Sequence, residues 1–216
     1  MTKIEDGKSI TPGNGEFQSN VWYGNLIEIA KIPDDRQRYS SLVRLHQETL
    51  DFYIPAIQRM TPEVAANPSS DGRPRSLVVA HIMGWEDWQI QVFSDPNREE
   101  RLLKQMRLQG YYDTDAGKMV DFKNVDDFND YNSKRYAGKP WEEIQQKAVD
   151  TAIQLQSFFP PNPGQDWIDF LENTPEHNWK VLPETELTIP SGWYLWMVSL
   201  EHEAVEHRED LLGMPR

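Results

Sequence analysis

Histidines and acidic residues on two predicted helices are the side chains of this chain best able to do chemistry. The 216-residue sequence has five histidines, at positions 46, 81, 177, 202 and 207. Histidine is the commonest metal ligand in proteins and titrates near neutral pH. The chain has no cysteine, which excludes disulfides, cysteine-based metal sites and protein thiol nucleophiles. Any thiol chemistry here therefore needs a thiol that arrives as a ligand.

Helical geometry selects among these histidines. At about 100° per residue, the last predicted helix places Glu203 and His207 on or beside its apolar arc. The same construction directs His202 and Glu206 away from that arc. On an earlier predicted helix, His81 lies on an apolar face. Buried carboxylates and imidazoles must be paired or coordinated. The sequence therefore predicts a metal site with His81, Glu203 and His207 as ligands, and the alternative is that these side chains are hydrogen-bonded within the core.

A three-ligand site of this kind leaves at least one coordination position open, which is typical of catalytic metal centres. Imidazole ligands favour zinc or nickel over magnesium. A divalent ion lowers the pKa of a bound thiol or water, so a nucleophile is present at neutral pH. His46 and His177 are interpreted as structural or surface residues.

Tryptophans flank the predicted ligands. Trp85, Trp88 and Trp196 are candidate substrate-binding residues, and Trp193 lies near them in sequence. The helix that carries Trp85 and Trp88 is apolar nearly all round, which favours the alternative that these rings fill the core.

Four long helices are predicted to position these residues. Apolar residues recur every three to four positions over about 33–60, 76–93, 140–159 and 191–213. Asp34 or Asp35 is placed to cap the first helix and Ser191 the last, and Gly213 is placed to end it.

Long irregular connections separate these helices. The segment 95–139 is expected to hold two short helices, and 161–190 is expected to be irregular. No stretch alternates convincingly as a strand. The sequence therefore predicts an all-α four-helix bundle over residues 33–216. Residues 1–32 form an N-terminal extension, with an irregular lead-in to about residue 20, that is expected to pack on the bundle.

Charge and hydropathy restrict the partners. The chain has 22 Lys and Arg against 35 Asp and Glu, a net charge of −13, which argues against nucleic acid as a partner. No apolar run approaches the roughly 18 residues of a membrane span. The N-terminus lacks the basic start and apolar stretch of a signal peptide. We therefore expect a cytoplasmic protein that acts on a small molecule, without a membrane partner.

Three segments resemble a known family. The stretch SLVVAHIMGWEDWQ (76–89) resembles the second-helix signature of the DinB-like superfamily, in which a histidine is followed four residues later by tryptophan. VDDFNDYNSKRYAGKPWEEIQQKA (125–148) is similar to the run into that family's third helix. EHEAVEHREDLLG (201–213) is similar to the end of its fourth helix. The resemblance covers about residues 38–213.

The resemblance implies an up-up-down-down four-helix bundle, often dimeric, with a divalent metal in its core. Many members carry three histidines, with H-x-x-x-H on the last helix. The mycothiol-dependent maleylpyruvate isomerase branch uses His, Glu and His, which His81, Glu203 and His207 match. The characterised branches are thiol-dependent S-transferases and isomerases, and a neighbouring branch is hydrolytic.

Three hypotheses for function follow. The first is a metal-dependent enzyme that uses a low-molecular-weight thiol or water on a small molecule. The second is a non-catalytic metal-binding or stress-protection protein. The third is a non-haem iron oxygenase, because two histidines and a carboxylate also suit Fe(II). The sequence HEAVEH (202–207) is one residue too long for the H-E-x-x-H of zinc proteases.

A homodimer is expected from the resemblance and from the aromatic SGWYLWM segment.

Overall fold

The computed structural model describes residues 19–178 and 188–212. The predicted irregular lead-in falls mostly on residues 1–18, which lie outside this description, and so does the predicted helix stop at Gly213.

Helices make up most of the described chain. Their bounds are α1 Ser19–Ala30, α2 Asp35–Arg59, α3 Pro62–Ala66, α4 Arg75–Phe93, α5 Arg98–Gln105, α6 Val125–Tyr136, α7 Trp141–Ser157, α8 Gln165–Asn173, α9 Ser191–Glu201 and α10 Arg208–Leu211. Between α9 and α10 lies a π-helical segment, His202–Glu206, which we call the π turn. The predicted helices that correspond to α2, α4 and α7 and the two short helices α5 and α6 are confirmed. Asp34 caps α2, because its Oδ1 accepts from the Gln37 backbone N at 2.8 Å.

Within the described residues, four short strands form two antiparallel pairs, so the expectation of no strands is wrong. Strand β1 (Tyr111–Asp113) pairs with β2 (Lys118–Val120), with Tyr111 opposite Val120. Strand β3 (Glu176–Asn178) pairs with β4 (Thr188–Pro190), with Glu176 opposite Pro190. Each strand has only three residues, and three residues give too little alternation to detect in a sequence.

The described residues fall into two compact units. Of the described residues, the first comprises 19–56, 159–178 and 188–208, and the second comprises 57–158 and 209–212. In the first unit α8 packs on α9, and α1 packs on the π turn. Its core includes the fully buried Trp22, Leu26 and Trp196.

The start of α9 is held by its neighbours in the first unit. The Gly192 backbone N donates to the Thr174 Oγ1 at 2.7 Å. A Cβ at Gly192 would lie 2.9 Å from the Leu171 Cα, so only glycine allows this close approach. The Ser191 hydroxyl donates to the Pro175 carbonyl and makes no cap of α9, which corrects the predicted N-cap.

The second unit is organised around α4, which packs along α7 and α6. The buried face of α7 carries residues spaced by three or four positions: Ile144, Ala148, Ala152 and Leu155. The indole N–H of Trp141 donates to the Met60 carbonyl at 2.8 Å and anchors the start of α7. Among the described residues, no helix is both long and apolar enough to cross a membrane.

Candidate metal centre

The π turn sets the geometry of the histidines near the end of the chain. The His207 backbone N donates to the His202 carbonyl at 3.1 Å, the i to i+5 bond of a π helix. In a regular α-helix, residues five apart point about 140° apart. Here the two imidazole rings lie 5.8 Å apart between centroids with an interplanar angle of 32°. The π turn therefore brings His202 and His207 side by side.

This geometry corrects the sequence argument at one residue. The construction at 100° per residue directed His202 away from the buried face, and it is wrong here because residues 202–206 are not α-helical. Only 12% of the His202 side chain is exposed. Glu203 and His207 are buried, as predicted. The signal that sequence reasoning missed is the spacing itself: two histidines five apart in a helical run fit one face only if the helix widens.

The tautomer of His202 is fixed by a backbone carbonyl. Its Nδ1 lies 2.6 Å from the Val198 carbonyl oxygen, which can only accept, so Nδ1 carries the proton. In the neutral ring, the lone pair is then on Nε2. The Nε2 atom lies 3.3 Å from the Glu206 carboxylate, an exposed group. A metal-ligating histidine usually donates through its other ring nitrogen to a carbonyl or carboxylate. The Nδ1 contact of His202 fits that arrangement, and coordination would require Nε2 to exchange its contact with Glu206 for the ion.

The pair of histidines fits a metal ion in spacing as well as in chemistry. A ligand nitrogen of His202 and one of His207 lie within 4.8 Å of each other. Two nitrogens on one tetrahedral zinc ion stand about 3.3 Å apart, given Zn–N bonds of about 2.0–2.1 Å. Binding one ion would require the two nitrogens to stand at about that separation. The π turn thus supplies two neighbouring donors of the type that zinc and nickel prefer.

The remaining predicted ligands have defined positions within their own units. His81 is on α4 in the second unit and is 5% exposed, as expected for an inward-facing residue. Glu203 is in the π turn and is fully buried. Whether Glu203 is a ligand stays a prediction.

The predicted substrate-binding tryptophans lie in aromatic clusters. Trp88 is buried against Tyr111 and Phe128, and Trp85 packs on the same cluster, where its indole N–H donates to the Asn129 Oδ1 at 3.2 Å. Trp196 is fully buried and stacks on Phe159 at 3.8 Å between centroids. These contacts favour the core-filling interpretation for Trp88 and Trp196. A substrate-binding role for the three rings stays a prediction.

A polar network in the second unit holds the β1–β2 hairpin to α6. The Arg135 guanidinium pairs with Asp115 at 2.8 Å and with Asp113 at 3.4 Å. Tyr131 donates to the Asp113 carboxylate, and burial together with that bond raises the pKa of Tyr131 to about 12. Burial opposes ionisation of Asp113, but its hydrogen bonds and Arg135 outweigh burial and lower its pKa. Lys147 also lies 3.8 Å from the Asp115 carboxylate, so two cations face the two carboxylates. We interpret the network as structural, because it ties the hairpin to α6.

His46 is a structural residue, as predicted. It is 1% exposed, and its Nδ1 accepts from the Trp196 indole N–H at 3.1 Å. Burial lowers the pKa of His46 to about 3. The side chain of His177 lies outside the described part of the structure.

Compared with known proteins, the chain matches no protein-family model, no curated protein and no solved structure.

Proposed function

We propose that the protein binds one divalent metal ion at the π turn, where His202 and His207 supply ligands. The observation that carries the proposal is the π turn, which places two imidazoles side by side, with His202 in the tautomer whose Nε2 can coordinate an ion. His81, a buried histidine of α4, is the third ligand that the sequence predicts. Zinc or nickel suits these donors best.

Glu203 is the main competitor of His202 for a place in this set. Both residues belong to the π turn, and the sequence resemblance favours Glu203 because of the His, Glu and His pattern. The tautomer of His202 and its neighbouring ring favour His202. The two ligand sets differ by one residue, so substitution distinguishes them.

We further propose that the fold is a DinB-like four-helix bundle and that the protein is an enzyme acting on a small molecule. A divalent ion in the site lowers the pKa of a bound thiol or water, which supplies a nucleophile at neutral pH. The protein's part is to hold the ion with neutral imidazoles, to leave a position open and to keep bulk water away with buried surroundings. The absence of cysteine means that a thiol nucleophile is an added small molecule.

The ligand set is tested by measuring zinc affinity against a competing chelator in four variants. We expect His81→Ala, His202→Ala and His207→Ala each to weaken binding by more than the roughly 10- to 100-fold typical of an outer-shell partner. Glu203→Gln is expected to lose no more than about 10- to 100-fold in zinc affinity. His46→Gln serves as the matched control, because His46 is a buried histidine outside the proposed set.

Two results change the interpretation. If Glu203→Gln loses zinc while His202→Ala retains it, the set is His81, Glu203 and His207. If the wild-type chain, purified without chelator or an affinity-tag metal, binds no divalent ion, the metal proposal is wrong.

The chemistry is tested in protein loaded with Co²⁺. We expect added glutathione to produce a sulfur-to-cobalt charge-transfer absorption that rises with pH as the thiol deprotonates. If azide perturbs the spectrum and glutathione does not, the hydrolytic version replaces the thiol-dependent one. If neither ligand changes the spectrum, the site is closed and the protein is a non-catalytic metal-binding protein.

A further inference from the structure

The N-terminal helix α1 lies against the π turn within the first unit. Two of its side chains, Trp22 and Leu26, are fully buried and anchor it. Tyr23 donates a hydrogen bond to the Glu201 carboxylate, and Glu201 immediately precedes the π turn. Helix α1 lies outside the segment that resembles the DinB-like superfamily, so the resemblance assigns it no role.

The π turn needs support from outside its own sequence. Glu and Ala in His202–Glu206 are good α-helix formers, and π-helical segments are rare because they are less favourable than the α-helix. Unfavourable backbone arrangements persist where surrounding structure determines them. If the segment rewound as a regular α-helix, His202 and His207 would point about 140° apart.

The hydrogen bond from Tyr23 acts at the point where the helix widens. Burial raises the pKa of Glu201, with a smaller opposing effect from Tyr23. The bond thus ties a partly buried carboxyl group at the end of α9 to a helix from another part of the chain. His202 itself contacts Val198 in α9 and Glu206 in the π turn, so these two interactions, unlike the bond from Tyr23, stay within one helical run of the chain.

We propose that α1 is a positioning element for the metal centre, and that Tyr23, through Glu201, holds the π turn in the form that puts His202 beside His207. This inference rests on the proposed function for its effect on metal binding. Its structural part, the dependence of the π turn on Tyr23, can be tested without a metal.

The test is Tyr23→Phe, which removes one hydroxyl and keeps the ring. We expect zinc affinity to fall by about 10- to 100-fold, the effect typical of an outer-shell partner. The Co²⁺ spectrum is expected to shift toward that of His202→Ala. Glu201→Gln keeps a carbonyl oxygen that accepts from Tyr23 and should retain most of the affinity, whereas Glu201→Leu should lose it. Tyr112→Phe is the matched control, because it makes the same change at an exposed tyrosine.

A readout in the metal-free protein separates this inference from the proposed function. In the wild type, the ring protons of His202 and His207 should show nuclear Overhauser contacts, which Tyr23→Phe should weaken while circular dichroism stays unchanged. If Tyr23→Phe lowers only the melting temperature and leaves both the ring contacts and the zinc affinity intact, α1 merely packs on the turn and the inference is overturned. If the wild type binds no zinc but the ring contacts depend on Tyr23, the proposed function fails, whereas the dependence of the π turn on Tyr23 stands.

Discussion

Two histidines in the first unit have their tautomers fixed by opposite kinds of partner, and this decides what each can do. The Nδ1 of His202 donates to a carbonyl, which leaves Nε2 as the potential ligand atom. The Nδ1 of His46 accepts from an indole N–H, so the proton of the neutral ring is on Nε2. That Nε2 is buried and has no hydrogen-bond partner among the described residues. His202 can therefore offer a lone pair, whereas His46 is confined to a neutral structural role.

His46 makes the stability of the protein depend on pH. Burial lowers its pKa from the ordinary value of 6.5 to about 3 in the folded chain. Between these values the unfolded state binds the proton and the folded state does not, so the free energy of unfolding falls as the pH decreases. The loss is up to about 1.4 kcal/mol per pH unit. We expect urea titrations to show that the metal-free wild type loses more stability from pH 6 to pH 4 than His46→Gln does.

The comparison uses the difference between the two proteins, because other titrating groups contribute equally to both. Equal pH slopes for the wild type and His46→Gln would show that His46 is protonated in the folded state or reaches water, contrary to its burial. The glutamine side chain of the variant can still accept from the Trp196 indole, so the local hydrogen bond is kept.

At the scale of the elements, sequence patterns located the long helices and the short helices α5 and α6, and missed α8, the strands and the π turn. Helices α2, α4 and α7 are long enough for a repeat of three to four residues to be visible. The short helix α8 (Gln165–Asn173) and the four three-residue strands are too short to show a repeat. The position of Ser191 suggested a cap, but its hydroxyl is used by the Pro175 carbonyl.

The candidate site, like the fold, was predicted only in part from the sequence. Burial of His81, Glu203 and His207 followed from helical faces and is confirmed. The placement of His202 was missed because it depends on the π turn, and the contact from Tyr23 was missed because it spans 178 positions in sequence. A periodic pattern carries no information about either, since both are set by tertiary contacts.

At the contact between α4 and α6, Gly84 leaves room for the side-chain amide of Asn132. A Cβ at Gly84 would lie 2.3 Å from the Asn132 Nδ2 and 2.6 Å from its Cγ, and Asn132 is fully buried. We expect Gly84→Ala to destabilise the protein by about 1–3 kcal/mol, the usual cost of overpacking. In an Asn132→Ala background the same change should be neutral or stabilising, because alanine is the better helix former. Urea unfolding of the four proteins measures this coupling.

Gly24→Ala is the control for this cycle. Gly24 is also in a helix, α1, and a Cβ there would meet no atom within 4 Å. The change should leave stability unaltered or raise it by up to about 1 kcal/mol. If Gly84→Ala still destabilises the protein in the Asn132→Ala background, the steric conflict involves atoms other than those of Asn132.

At the scale of the whole molecule, the aromatic segment that suggested a dimer has another explanation. Trp193, Leu195, Trp196 and Met197 are all buried by the chain itself. These side chains, which suggested a surface for a second copy of the chain, are therefore core residues. The predicted homodimer now depends on the family resemblance alone.

The net charge of −13 gives the molecule a second, non-specific way to respond to cations, which must be distinguished from binding at the proposed site. Screening of self-repulsion stabilises an acidic protein and depends on ionic strength, not on the identity of the ion. We therefore expect NaCl and MgCl₂ at equal ionic strength to raise the melting temperature of the metal-free protein by similar amounts. Zinc at about 100 times its dissociation constant should add about 2.7 kcal/mol.

The zinc increment identifies a specific site only if it disappears with a ligand. In His202→Ala the response to NaCl and MgCl₂ should be unchanged, because one partly buried imidazole contributes little to the charge of the surface. The increment from zinc should be lost, since the remaining donors hold the ion too weakly to saturate at the same concentration. Equal stabilisation of the wild type and His202→Ala by zinc would instead mean that the ion binds to the acidic surface. The π turn would then have to be explained without a metal.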